Sequence, residues 1–135
     1  MRLPTTPLLV LTLLALGACN KIQAPDKVYE DFHAKVQQQQ YREAYGLLSA
    51  PTRQAIDARV QKLKEASGGT LKDEAYEVFF ANSFPPPDVV TEATLVSKEG
   101  DVATVRVLSS GKTREVRMVR EASGWKIDLS ESLKP

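Results

Sequence analysis

The sequence predicts an α+β fold in which N-terminal helices pack on a C-terminal, antiparallel, four-stranded meander. Three observations lead there. Apolar residues recur at helical spacing through the first half and switch to alternation from Val89 onward. The alternating half is cut by three turn signals, Glu99-Gly100-Asp101, Ser110-Gly111 and Ser123-Gly124. Between the halves stands Phe84-Pro85-Pro86-Pro87, which stops a helix because proline has no N–H and its ring clashes with the preceding turn. A stiff polyproline-type connector is expected there, in preference to a ligand for a recognition module.

The first helix opens at Pro25, a residue suited to the first turn, with Asp26, Glu30 and Asp31 favouring its N-terminal half. Its stripe is Val28, Phe32 and Val36, with Tyr29 alongside. Gln37-Gln38-Gln39-Gln40 has no apolar face and reads as a solvated end and turn. A second helix places Tyr41, Ala44, Tyr45 and Leu48 on one side. Ser49-Ala50-Pro51 breaks and restarts the chain, since the residue before a proline is pushed out of the helical region. The third helix has the stripe Ile56, Val60 and Leu63, turns Arg53, Asp57, Arg59, Lys62 and Lys64 to water, and ends at Ser67-Gly68-Gly69. Thr70 and Asp73 resemble a capping box for a fourth helix that buries Leu71, Ala75, Val78 and Phe79. Strands are expected over 91–97, 102–109, 113–121 and 125–129. One face of the sheet then collects Ala103, Val105, Val107, Val116, Met118, Trp125, Ile127 and Leu129.

Residues 1–18 lie outside this domain plan. Arg2 and the amino terminus precede an apolar run over 8–16, about half the roughly 20 residues a membrane-spanning helix needs. Small residues then lead to the only cysteine, in Leu16-Gly17-Ala18-Cys19. The segment resembles a bacterial lipoprotein signal ending in a lipobox. That resemblance implies cleavage before Cys19, attachment of acyl chains such as palmitate to it, and a membrane-anchored chain of the cell envelope. Asn20 is not the Asp that retains lipoproteins at the inner membrane in enterobacteria, so the resemblance implies the outer membrane, facing the periplasm, in a diderm host. Several acyl chains on one residue hold far longer than the marginal binding of a single chain. Residues 19–24 form a short tether, which as a flexible chain reaches about 12 Å. Residues 25–135 form a single α+β domain, with helices over 25–83 and the sheet over 89–130.

The chain has 18 basic and 17 acidic side chains, and removing Arg2 with the signal leaves the two in balance. Nothing in that balance attracts nucleic acid. Tyr41-Arg42-Glu43-Ala44-Tyr45-Gly46-Leu47-Leu48, Gly100-Asp101-Val102-Ala103-Thr104-Val105 and Gly124-Trp125-Lys126-Ile127-Asp128 together resemble the lipoprotein branch of the nuclear-transport-factor-like superfamily. The resemblance implies a curved, cone-like sheet wrapped around helices, with a pocket at its open end, as in the ketosteroid-isomerase-like enzymes of the superfamily. It departs from that pattern over 52–82, where this chain reads as two helices and many relatives insert an early strand.

Catalysis by an isomerase-like enzyme needs an acid or base in a dry pocket beside a polarising donor. His33 is the only histidine, and with no carboxylate three or four residues on to orient it, it reads as a solvated helix-face side chain. Tyr29, Tyr41, Tyr45 and Tyr76 are core aromatics by position, with Tyr45 the candidate donor to a ligand. Arg106, Arg114, Arg117 and Arg120 form the one charge cluster. Arg114 and Arg120 share a face with Val116 and Met118 and are candidates to bind an anionic group at the sheet ends, while Arg117 points oppositely, towards solvent. Glu115 and Glu121 partly neutralise the set through cross-strand pairing. No phosphate loop, nucleophile elbow or metal-spaced cluster appears, and no cofactor or metal is expected. The function expected is a non-catalytic binding or assembly module with an envelope protein or a small hydrophobic or anionic ligand as partner. A small-ligand enzyme of the ketosteroid-isomerase-like type, with a pocket in the cone, is the alternative.

Overall fold

The computed structural model describes residues 22–83 and 90–135. The signal-like segment, Cys19 and the Phe84-Pro85-Pro86-Pro87 connector lie outside the described residues. Helices α1 (Pro25–Gln37), α2 (Tyr41–Gly46), α3 (Ala50–Ala66) and α4 (Ala75–Ser83) precede strands β1 (Val90–Glu99), β2 (Val102–Ser109), β3 (Lys112–Glu121) and β4 (Gly124–Ile127). The strands form one antiparallel sheet in the order β1-β2-β3-β4, which makes the fold α+β with a meander.

Pro25 occupies the first turn of α1, and Val28, Tyr29, Phe32 and Val36 are buried as their spacing requires. The glutamine run ends this helix by a definite geometry. Gln39 adopts φ 59°, and the N–H groups of Gln39 and Gln40 return to the carbonyls of Val36 (3.1 Å) and Lys35 (2.8 Å). This is a Schellman closure built on glutamine where glycine is the common choice.

Ser49 caps α3 by accepting the Thr52 N–H at 3.3 Å, with Pro51 in the first turn. Ile56 and Val60 are buried, but Leu63 is 48% exposed. The expected stripe therefore stops a turn early, because α3 packs on α4 and its last turns run past the core. The capping box at Thr70 and Asp73 does not form. The Thr70 hydroxyl donates back to the Ser67 carbonyl at 2.8 Å, the Ser67 hydroxyl accepts the Leu71 N–H at 3.1 Å, and both tie this segment to the end of α3. The fourth helix instead starts at Ala75, where Glu77 accepts the N–H of Glu74 at 3.1 Å; glutamate has the extra methylene that Asp73 lacks. Phe80, absent from the expected stripe, is 2% exposed. It stacks on Tyr41, tilts against Phe32 and meets Phe79 edge-on, because α4 is covered from more than one side.

The register of β2 on β3 is unbroken from Val102↔Val119 to Ser109↔Lys112, across a two-residue Ser110-Gly111 turn in which both residues have positive φ, as the twist of a tight hairpin demands. On the helix-facing side Ala103, Val105, Val107, Val116, Met118, Trp125 and Ile127 are all buried. Leu129 lies beyond β4 and is only partly buried.

The two edges of the sheet differ. Along β4 the chain between α2 and α3 adds a parallel bridge, Leu48↔Ile127, with Ile127 N–H to the Leu47 carbonyl at 2.9 Å and Ser49 N–H to the Ile127 carbonyl at 2.8 Å. Along β1 the register shifts between Val90 and Glu92 and again between Leu95 and Ser97. Such irregularities twist an edge away from further pairing.

Candidate functional site

Among the described residues the buried charged group is Asp128, just after β4, whose side chain is 4% exposed. Its Oδ1 accepts from the Ser49 hydroxyl at 3.0 Å, the Thr52 hydroxyl at 3.1 Å and the Ser130 N–H at 3.2 Å. Its Oδ2 takes Arg117 Nη1 at 2.5 Å. Ser49 and Thr52 are fully buried and 2.6 Å apart through their hydroxyl oxygens, and Thr52 also accepts the Leu129 N–H at 2.9 Å. Glu121, at the end of β3, accepts the Ala50 N–H at 2.8 Å. Two carboxylates thus face the N-terminus of α3, where the unsatisfied N–H groups and the helix dipole favour negative charge. Burial works against the Asp128 charge, but the donors from Ser130, Ser49 and Thr52 outweigh it and hold its carboxyl below the ordinary value. Arg117, expected in solvent, keeps half of its side chain exposed and is also tied to Asp128. It does lie on the outward side of β3, but the chain entering α3 comes round the β4 edge and buries the outward-pointing Asp128 beside it.

Arg114 lies at the opposite end of β3, where its guanidinium donates to the phenol oxygen of Tyr29 on α1 and sits 5.9 Å from that ring's centroid. Burial raises the Tyr29 pKa in spite of Arg114. His33 lies one turn further along α1. Expected as a solvated side chain, it is half-buried, with its Nε2 enclosed and without a hydrogen-bond partner among the described residues. Burial, then the charge of Arg114, pushes its pKa below the usual imidazole value.

Tyr45 donates its hydroxyl to Asp57 Oδ1 at 2.5 Å, with the Arg53 carbonyl at 3.2 Å. Burial and the Asp57 carboxylate raise its pKa far above the ordinary phenol value. Arg120 is exposed, opposite Trp125 in the ladder, and its backbone N–H meets the Asp101 carbonyl at 2.8 Å. Six residues of extended strand, about 20 Å, separate it from Arg114. Arg114, Arg120 and Tyr45 are therefore in three places, each with its own neighbours. The expected cross-strand pairing is present at Arg106 and Glu115, partners in the ladder and 3.6 Å apart.

A groove of about 440 Å³ runs between α3 and the segment after β4. Ala55, Ala58, Arg59 and Lys62 line one wall, and Leu133 and Lys134 stand opposite. The four helix positions follow i, i+3, i+4, i+7 spacing, so this second stripe of α3 is present in the sequence, where its alanines and cations resemble an ordinary solvated face. The Asp128 cluster had no comparable signal, since Ser49 and Asp128 are 79 residues apart. Among the described residues no group of His, Cys, Asp or Glu is placed to hold a metal ion, and no helix is long and apolar enough to cross a membrane. No family model, curated protein or solved structure matches the chain.

Proposed function

We propose that this chain is an envelope lipoprotein, held to the membrane through acylated Cys19, whose domain is a non-catalytic binding or assembly module of the nuclear-transport-factor-like kind. The observation that favours a module over an isomerase-like enzyme is the packing between sheet and helices. Tyr29, Phe32, Phe79, Phe80 and Trp125 are each at most 6% exposed and belong to one apolar core, so aromatic rings fill the layer between helices and sheet. Three of the four polar groups with shifted pKa values hold elements together, Asp128 at α3, Tyr45 on Asp57 and Tyr29 on Arg114, and the fourth, His33, lies on α1 within the field of Arg114.

Support for the anchor comes from the sequence and from where α1 begins. Leu16-Gly17-Ala18-Cys19 is followed by only five residues before Pro25 opens the first helix. A domain so tethered works within about 12 Å of the bilayer surface. Its partner is a membrane-proximal envelope protein or a small amphiphilic ligand. The outer membrane is the proposed address on the strength of Asn20.

Metabolic labelling with radioactive palmitate, followed by density fractionation of membranes, tests this. The wild-type chain is expected to incorporate label and to travel with outer-membrane markers, and Cys19→Ala is expected to lose the label. Label retained in Cys19→Ala overturns the anchor, and co-migration with inner-membrane markers overturns the address.

A further inference from the structure

We infer that the groove between α3 and the segment after β4 binds an anionic amphiphile, an acyl chain bearing a phosphate or carboxylate head. The inference rests on the binding-module reading above and names its ligand class, but it does not depend on acylation of Cys19.

The charged side chains of the groove are of one sign. Its lining includes Arg59, Lys62 and Lys134 and no acidic side chain, with Ser130 and Pro135 beside them. Lys134 is held by Glu131 at 2.7 Å, whereas Arg59 and Lys62 make no ion pair or hydrogen bond within the described residues. The acids of α3 and of the last segment have hydrogen-bond partners of their own. Asp57 accepts from Tyr45, Glu65 accepts from Gln61 at 3.1 Å, and Glu131 takes Lys134. Two cations one helical turn apart, on the same wall, suit a single multivalent oxyanion, since guanidinium and ammonium donors both form charge-assisted bonds to it.

Beneath them the floor is apolar. Ala55 and Ala58 hold the helix wall low, and Leu133, partly buried, forms the other side. A free inorganic anion has no use for this surface. A volume of about 440 Å³ lies within the common range for small-ligand sites, about 300–1,000 Å³, and leaves room for an alkyl chain behind the head group. Each methylene buried raises affinity by about fourfold, so chain length governs binding as strongly as charge does.

The test uses the full chain in nanodiscs of zwitterionic phosphatidylcholine, with octyl phosphate, inorganic phosphate and octanol as separate probes. Hydrogen exchange is followed in the peptides covering 55–62 and 130–134. Octyl phosphate is expected to slow exchange in both segments saturably, with inorganic phosphate and octanol each weaker by about tenfold or more. The double variant Arg59→Gln with Lys62→Gln is expected to weaken octyl phosphate by about tenfold or more. Ala58→Trp, which keeps both cations but fills the floor, is expected to abolish the protection.

Absence of protection by octyl phosphate overturns the inference, as does protection that survives in both variants. An equal response to inorganic phosphate shows a site for a free anion and overturns the amphiphile; an equal response to octanol overturns the anionic head. Failure here leaves palmitate labelling of Cys19 unaffected, and loss of that labelling leaves this titration unaffected, so the two readings fall separately.

Discussion

Asp128 shows how one residue joins two halves of the chain. A carboxylate in that enclosure is stable only because four donors meet it, and Asn in its place keeps one acceptor oxygen but turns an amide N–H2, itself a donor, towards Arg117. Asp128→Asn should therefore lower stability by about 2–4 kcal/mol at pH 7, as measured by urea unfolding. The pH dependence has a definite sign. The folded-state pKa lies below the unfolded value of about 3.9, so the contribution of Asp128 is complete above that value and is lost as pH falls through the lower folded one. The gap between wild type and Asp128→Asn should accordingly narrow between pH 5 and pH 2. A gap of constant size over that interval would mean that the carboxylate is not ionised in the native protein. Nothing local in the chain signals this role, because Ser49 and Thr52 read as a helix break and Asp128 as the tail of a strand. Arg114 is the opposite case. Its position on the helix-facing side of β3 was legible from alternation, but its partner Tyr29, 85 residues away, was not.

At the scale of elements, what the sequence made legible was period and punctuation. All four strands lie within a residue or two of their expected bounds, since alternation and glycine turns are local properties of the chain. The start of α4 and the burial of Phe80 were not legible, because they depend on which neighbours cover a helix and from how many sides. The last strand offers the sharpest test of register. Trp125 is 3% exposed on the helix-facing side, with the Lys98 ammonium 5.8 Å from its ring, while Lys126 reaches outward to donate to the Gly46 carbonyl at 2.8 Å. Trp125→Ala should cost about 3–5 kcal/mol. Lys126→Ala should cost about 0.5–1 kcal/mol, the value of one exposed hydrogen bond at the end of α2. Thermal unfolding of the two variants decides the matter, and equal losses would mean that β4 is out of register by one residue.

The whole molecule is closed late. Removing residues 125–135 takes away Trp125, Ile127, Asp128 and the bridge to Leu48 together, so the chain ending at Gly124 should show no cooperative thermal transition by circular dichroism. A sharp transition in that truncated chain would mean that the helices and three strands form a stable core by themselves. The sequence disclosed the order of the halves and the balance of charge, but not the long-range seam between them, for a pattern of side chains contains no record of which distant edge it will meet. That seam has a consequence for biogenesis. A polypeptide is made from its N-terminus, so all four helices exist as chain before the strand that seals them does. Until Ile127 has emerged, the apolar sides of α1 and α4 have no finished sheet to rest on, and Ser49 has no Asp128. The nascent protein thus keeps its stickiest surfaces uncovered until that strand is made, which makes it a natural client for a holding chaperone during that interval and a poor one afterwards.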